Sequence, residues 1–135
     1  MNDAARLKYL RIALVTIGII FILGLYSLMI AWPWIWPSGW LWHTGHSDYP
    51  PMIVGIYAAL GVFLILAARD PLANRSLIWF TVWSSIVHGS IMAVQALAPN
   101  SNGHLVGDVP ALFIIAIVLA LLTPRRSRAA NRTGT

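Results

Sequence analysis

The chain has 135 residues, of which 59% are hydrophobic and only 10% are charged, and it contains neither Glu nor Cys. Soluble domains carry about a quarter charged residues, so this composition excludes an ordinary soluble domain and indicates a polytopic membrane protein. Without Cys, disulfides, thiolate chemistry and iron–sulfur ligation are excluded. The net charge of +5 lies at the ends of apolar segments, which argues against nucleic acid as a partner and favours membrane lipids.

Four apolar segments follow one another along the chain. Each is close to the ~20 residues that cross a ~30 Å hydrocarbon core. We place them at about 12–31, 52–68, 71–97 and 106–123. The sequence therefore predicts an all-α fold, a single four-helix transmembrane bundle over residues 12–123, between a basic arm (1–11) and a basic tail (124–135). Asp70 and Pro71 are a predicted N-cap and first turn of the third helix, and Asn74 is a second candidate start.

The distribution of Lys and Arg predicts the orientation of the bundle. Basic residues precede the first segment, lie between the second and third, and follow the fourth, whereas loops 32–51 and 98–105 contain none. The positive-inside rule then places both termini and the middle loop in the cytoplasm. We therefore expect a multi-pass membrane protein with both termini in the cytoplasm.

The first outer loop, AWPWIWPSGWLWHTGHSDYPP, contains five Trp within 11 residues. Such rings either form an aromatic belt at the membrane interface or act as a lid that stacks on a flat ligand, binds a quaternary cation or packs on a partner. The loop ends in three potential ligands for a divalent metal ion. The interface aromatics are Trp32, Trp34, Trp36, Trp40 and Trp42, and the candidate metal ligands are His43, His46 and Asp48.

The third segment carries a polar stripe. Thr81, Ser84, His88 and Gln95 follow one another at spacings of three, four and seven, which places them along one helix face. Either these groups bond to their own and neighbouring helices, or they mark a ligand, proton or metal site centred on His88, because polar groups are expensive at membrane depth.

Depths estimated from the rise per helical residue place the polar groups in the outer half of the bundle. Loop 98–107 has the composition of an exposed turn, and Asp108, which opens the fourth segment, is either an N-cap or part of the site. The inner half is almost purely apolar, which argues against a channel, and no Ser–His–Asp arrangement indicates hydrolysis. The candidate ligand-binding residues are Tyr26, Tyr57, Ser84, His88, Gln95 and Asp108.

Residues 52–97, with WPSGW at 36–40 and GDVPAL at 107–112, resemble an uncharacterised family of small bacterial four-span membrane proteins, defined only as a domain of unknown function. The likeness covers about residues 10–124 and implies a location in a bacterial inner membrane. More distantly, the layout, in which Arg69 ends the second span, is similar to that of DoxX-like proteins, some of which are associated with quinone-linked oxidation. Neither resemblance implies a role for any residue.

Two functions are consistent with these features. The first is a binding or accessory subunit, rather than an enzyme, with an outward-facing pocket for a lipid-like or quinone-like molecule or a partner membrane protein. The second is a component of a small membrane oxidoreductase that uses a His-ligated metal or a quinone. No cofactor is required by the sequence, and the expected partners are membrane lipids and either a larger membrane complex or further copies of the chain. Proton-coupled transport is less consistent, because no acidic residue lies at the membrane centre.

Overall fold

A computed structural model describes residues 2–24, 27, 49–98 and 102–124. Those ranges are helical and contain no strand, which confirms the predicted all-α class. The five interface Trp residues, the three candidate metal ligands, Tyr26 and the tail from residue 125 lie outside them. The elements are α1 (Asp3–Ile19), a π-helical turn (Ile20–Gly24), α2 (Tyr49–Ala67), α3 (Arg75–Gln95), α4 (Gly103–Val106) and α5 (Asp108–Leu122).

Three stretches are long and apolar enough to cross a membrane: Asp3–Gly24, Arg75–Gln95 and Gly103–Leu122. The apolar part of α2, Pro51–Ala67, is shorter than a usual span. Exposed large hydrophobic side chains cover all four long helices, as expected for surfaces that face lipid rather than water. The fold is that of a small helical membrane protein.

Two helix starts differ from the sequence expectation. Residues 3–11, predicted as an arm, belong to α1, because the Asn2 side chain accepts a hydrogen bond of 2.8 Å from the Ala5 N–H and caps the helix there. The third helix begins at Arg75, after the second of its two candidate starts. Asp70 instead accepts from the Ala73 N–H at 3.1 Å, which closes a separate turn before the helix.

The helices form two close pairs. The α3–α5 and α1–α2 pairs pack most extensively, α1 also contacts α5, and α2 and α3 touch only sparsely. We call the end where α1 and α3 begin and α2 and α5 finish the basic end. The end where α3 finishes and α5 begins is the loop end. The buried core lies between the pairs and includes Leu10, Leu14, Phe21, Leu64, Ile78, Val82, Ala116 and Leu119.

The α1–α2 pair crosses at two glycines. A Cβ added to Gly61 would lie 2.6 Å from the Gly18 carbonyl oxygen, and one added to Gly18 would lie 2.7 Å from the Gly61 carbonyl oxygen. Both distances are far below van der Waals contact, so the two backbones approach as closely as only glycine permits. Because the helices are antiparallel, this crossing sets the register along their whole length.

Two arginines hold the basic end together. The Arg6 guanidinium of α1 donates to the Leu121 carbonyl oxygen at 2.7 Å, and the Arg75 guanidinium of α3 donates to the Pro124 carbonyl oxygen. The last carbonyls of a helix lack partners within that helix and attract cations. Residues near 6, 75 and 124 are thereby placed at one end of the bundle.

Candidate functional site

The central feature of the site is a contact between α2 and α3, the pair of long helices that otherwise pack sparsely. The Tyr57 ring of α2 meets the His88 ring of α3 edge to face, with centroids 5.7 Å apart. On its other side Tyr57 receives the ring of Phe21 in the same geometry at 4.8 Å. This stack of three rings joins α1, α2 and α3 in the half of the bundle towards the loop end.

The sequence positions each ring differently. Phe21 lies in the π-helical turn Ile20–Gly24, where one helical turn is widened, a feature often found at functional sites. Tyr57 is one helical turn from Gly61, so the glycine crossing brings it close to α1. His88 is one position before Gly89, whose missing side chain lets α3 approach Leu112 and Phe113 of α5.

A second polar pair lies where α4 meets α5. The His104 Nδ1 and the Asp108 Oδ2 are 2.8 Å apart, and the His104 side chain is buried. The other carboxylate oxygen of Asp108 accepts from the Val109 N–H at 3.0 Å, at the positive end of α5. Both oxygens of Asp108 are therefore engaged by the protein.

The Tyr57 hydroxyl and the ring nitrogens of His88 make no hydrogen bond within the part of the chain that the structure describes. Both side chains are half-buried. Tyr57 can donate one hydrogen bond, and neutral His88 can donate through one nitrogen and accept through the other. The arrangement can therefore offer two donors and an acceptor to a molecule that reaches both rings.

Other members of the predicted polar stripe have different surroundings. Thr81 is buried and donates to the Leu77 carbonyl oxygen at 2.9 Å, and Ser84 donates to the Thr81 carbonyl oxygen at 3.1 Å, so both hydroxyls bond to their own helix. The Gln95 side chain is exposed at the end of α3. Of the six predicted ligand-binding residues, the structure brings Tyr57 and His88 into contact, whereas Asp108 bonds to His104 and to the Val109 N–H.

His104 was not among the predicted site residues. Loop 98–107 was expected to be an exposed turn, but Gly103–Val106 forms the helical turn α4, with Gly103 and His104 buried. Its spacing of four from Asp108 is the usual distance for a pair on one helix face. That signal was present in the sequence but was obscured by the Pro, Asn, Ser and Gly residues that precede it.

A shallow apolar groove runs between α3 and α5 on the surface. It has a volume of about 270 Å³ and is lined only by apolar residues: Val82, Ile86, Phe113, Ala116, Ile117 and Ala120. Ile86 is two residues from His88, about 200° around α3. The groove and the ring stack thus lie on different sides of that helix.

No metal-binding group of three or more His, Cys, Asp or Glu residues occurs in ranges 2–24, 49–98 and 102–124. His43, His46 and Asp48 lie outside the described residues, so a metal site in the first loop stays a prediction.

Fold and composition define a small helical membrane protein, and comparison with known proteins assigns its family. Residues 4–134 match a family of unknown function (DUF6632), so the chain belongs to that family. It is also similar to ferric-chelate reductase 1 of Bos taurus, with 37% identity over 67 residues. That match covers 48% of this chain but 11% of the reductase. No solved structure matches the chain.

Proposed function

We propose that this protein is a binding or accessory subunit of a bacterial inner membrane, with an outward-facing site for a quinone-like molecule between α2 and α3. The observation that carries the proposal is the contact of Tyr57 with His88. Two aromatic rings meet there at membrane depth, and their hydrogen-bonding groups have no partner among the described residues. Leaving such groups unpaired in an apolar medium is costly, which favours a bound molecule that uses them.

The chemistry of the two rings favours a carbonyl-bearing ligand. Tyr57 and His88 can each donate to a carbonyl oxygen. The two rings are perpendicular to each other, and each offers an aromatic surface against which a conjugated ring can pack. A quinone head combines carbonyl oxygens with a conjugated ring, whereas a saturated lipid headgroup lacks the latter.

The first prediction concerns Tyr57→Phe and His88→Gln. Phe keeps the ring contacts and removes only a hydroxyl that has no partner in the described chain, so the unfolding midpoint in detergent should change little. Binding of a decyl-benzoquinone probe should weaken about tenfold in Tyr57→Phe, as expected for the loss of one hydrogen bond of about 1.4 kcal/mol. It should weaken by a similar factor in His88→Gln, because Gln keeps a donor and an acceptor but loses the aromatic ring and the positions of its two nitrogens. Probe binding and thermal unfolding are measured on the same preparations.

Gln95→Leu is the matched control, because it removes a polar side chain from the same helix at an exposed position. It should leave probe binding unchanged. If Tyr57→Phe and His88→Gln bind the probe as the wild type does, the polar stripe is structural and the proposed site is wrong.

A second candidate, a component of a membrane oxidoreductase, is favoured by the similarity to a protein whose name describes reduction of ferric chelates. The chain spans about a tenth of that relative, so the activity of the whole relative is not carried over. Metal analysis of the same preparations separates the candidates. Stoichiometric metal that disappears when His43, His46, His88 or His104 is replaced would favour this candidate over a purely binding role.

The orientation of the bundle is a separate prediction. Arg6, Arg75 and Pro124 share one end, and the positive-inside rule would place that end in the cytoplasm. We expect a reporter fused at Gly45 to be active on the outer side and one fused at Thr135 on the cytoplasmic side. An externally exposed Thr135 fusion would contradict this orientation.

A further inference from the structure

We infer that the ligand enters sideways from the bilayer through the seam between α2 and α3, and that it is an uncharged amphiphile whose hydrocarbon tail lies in this seam. The inference rests on the proposed function and adds the class of ligand and its route. We define the seam by the contact of Tyr57 with His88 and by their neighbours on the same helix faces, which are Ile53 and Leu60 of α2 and Ser84 and Ile91 of α3.

Helix periodicity places these six residues in two facing rows. Ile53 and Leu60 are four residues before and three after Tyr57, and Ser84 and Ile91 have the same spacing around His88. Because α2 and α3 are antiparallel and meet at Tyr57 and His88, Ile53 is level with Ile91 near the loop end. Leu60 is level with Ser84 nearer the basic end.

The seam is the most open junction between neighbouring long helices. α2 and α3 pack far less extensively than α1 with α2 or α3 with α5. The side chains at its loop end are well exposed, with 40% of Ile53 and 54% of Ile91 accessible. These are large apolar groups, so the opening faces hydrocarbon more favourably than water.

Depth restricts the chemistry of the ligand head. His88 lies seven residues before the last residue of α3, and Tyr57 lies eight residues after the first residue of α2. At ~1.5 Å per residue, both rings are about 10–12 Å below the loop end. A phosphate or other charged head would pay a large desolvation cost at that depth. An uncharged head that accepts hydrogen bonds can reach Tyr57 and His88 at much lower cost.

The other apolar surface is a poorer place for the tail. The groove between α3 and α5 has no polar lining residue and lies about 200° around α3 from His88. A molecule whose head contacts His88 would have to cross α3 to reach it. The seam contains the two rings, and the two facing rows of side chains extend from them towards both ends of the helices.

The test uses a benzoquinone with a ten-carbon tail that ends in a photoreactive diazirine, added to the intact protein in phosphatidylcholine vesicles. Irradiation should label α2 and α3 at the seam. At least nine-tenths of this labelling should disappear when excess unlabelled decyl-benzoquinone competes. The labelled residues are identified by peptide mass spectrometry. An alkyl diazirine without a quinone head controls for non-saturable labelling by contact with lipid.

Two variants test the route. Ile53→Trp at the exposed opening and Leu60→Trp deeper in the seam should each lower saturable labelling at least fivefold. Ile117→Trp, which fills the groove between α3 and α5, is the matched control and should leave it unchanged. Leu60 packs against the core, so labelling of Leu60→Trp is compared with the wild type only if the two unfold at the same temperature. Ile53→Trp changes an exposed residue and tests the route independently.

Saturable labelling confined to the groove, or to another place outside the seam, would show that the ligand does not lie in the seam. It would leave a quinone-binding function intact. Equal labelling of the wild type and Ile53→Trp would overturn the route. Absence of saturable labelling, together with absence of probe binding in the experiment on Tyr57→Phe and His88→Gln, would instead refute the proposed function. The two failures are therefore distinguishable.

Discussion

Gly61→Leu is expected to prevent α1 and α2 from packing and to lower the unfolding midpoint in detergent by about 10 °C, at roughly 3–4 °C per kcal/mol. Even the first added carbon would lie 2.6 Å from the Gly18 carbonyl oxygen, 3.0 Å from Ile22 and 3.1 Å from Phe21. A backbone carbonyl cannot move aside as a flexible side chain can, so the helices must separate. We expect a loss of about 3 kcal/mol, the upper part of the range for overpacking.

Gly55→Leu is the matched control for this substitution. It introduces the same side chain into the same helix, but a Cβ at Gly55 meets nothing within 4 Å. Its unfolding midpoint should stay within a few degrees of the wild type. If Gly61→Leu and Gly55→Leu are equally stable, the close crossing of α1 and α2 is wrong, and so is the register derived from it.

Asp108→Leu is expected to destabilise the protein by about 3 kcal/mol. The substitution removes the acceptor of the Val109 N–H, worth about 1 kcal/mol as a helix-start contact. It also removes the acceptor at the buried His104 Nδ1, and losing such a bond costs about 1–3 kcal/mol. Thermal unfolding in detergent measures the change.

Asp108→Asn separates the charge of this residue from its hydrogen bonds. Asn keeps one carbonyl oxygen, so we expect about half the loss of stability seen in Asp108→Leu. Gln95→Leu, at an exposed position, should change the unfolding midpoint little. If Asp108→Asn is as unstable as Asp108→Leu, the acceptor oxygen is not what stabilises the start of α5.

The helices could be predicted from the sequence because long apolar segments leave few alternatives. The close approach of α1 and α2 at Gly61 could not be predicted. The spacing of six between Gly55 and Gly61 matches no recognised packing motif, and the sequence does not say which helix lies opposite. The partner, Gly18, follows only from three-dimensional packing, in which one glycine of each helix faces the neighbouring backbone and Gly55 faces open space.

The same limit applies to the candidate site. Periodicity placed Ser84, His88 and Gln95 on one face of a helix, but it could not give the direction from which α2 approaches. In the structure, His88 meets Tyr57, while Ser84 bonds to the Thr81 carbonyl oxygen and Gln95 is exposed. His104 escaped prediction because its helical turn is only four residues long, too short for any hydrophobic period to be recognised.

The arginine contacts at the basic end constrain the order in which a ribosome-bound chain can assemble. α1 and α2 can pair through Gly18 and Gly61 soon after both have entered the membrane. Arg6 and Arg75, however, donate to carbonyls of residues 121 and 124. Neither arginine can make its contact until the last span has been synthesised. The four-helix bundle is therefore completed only after α5 has been synthesised, and until then α3 lies in the membrane without the helix on which it packs most extensively.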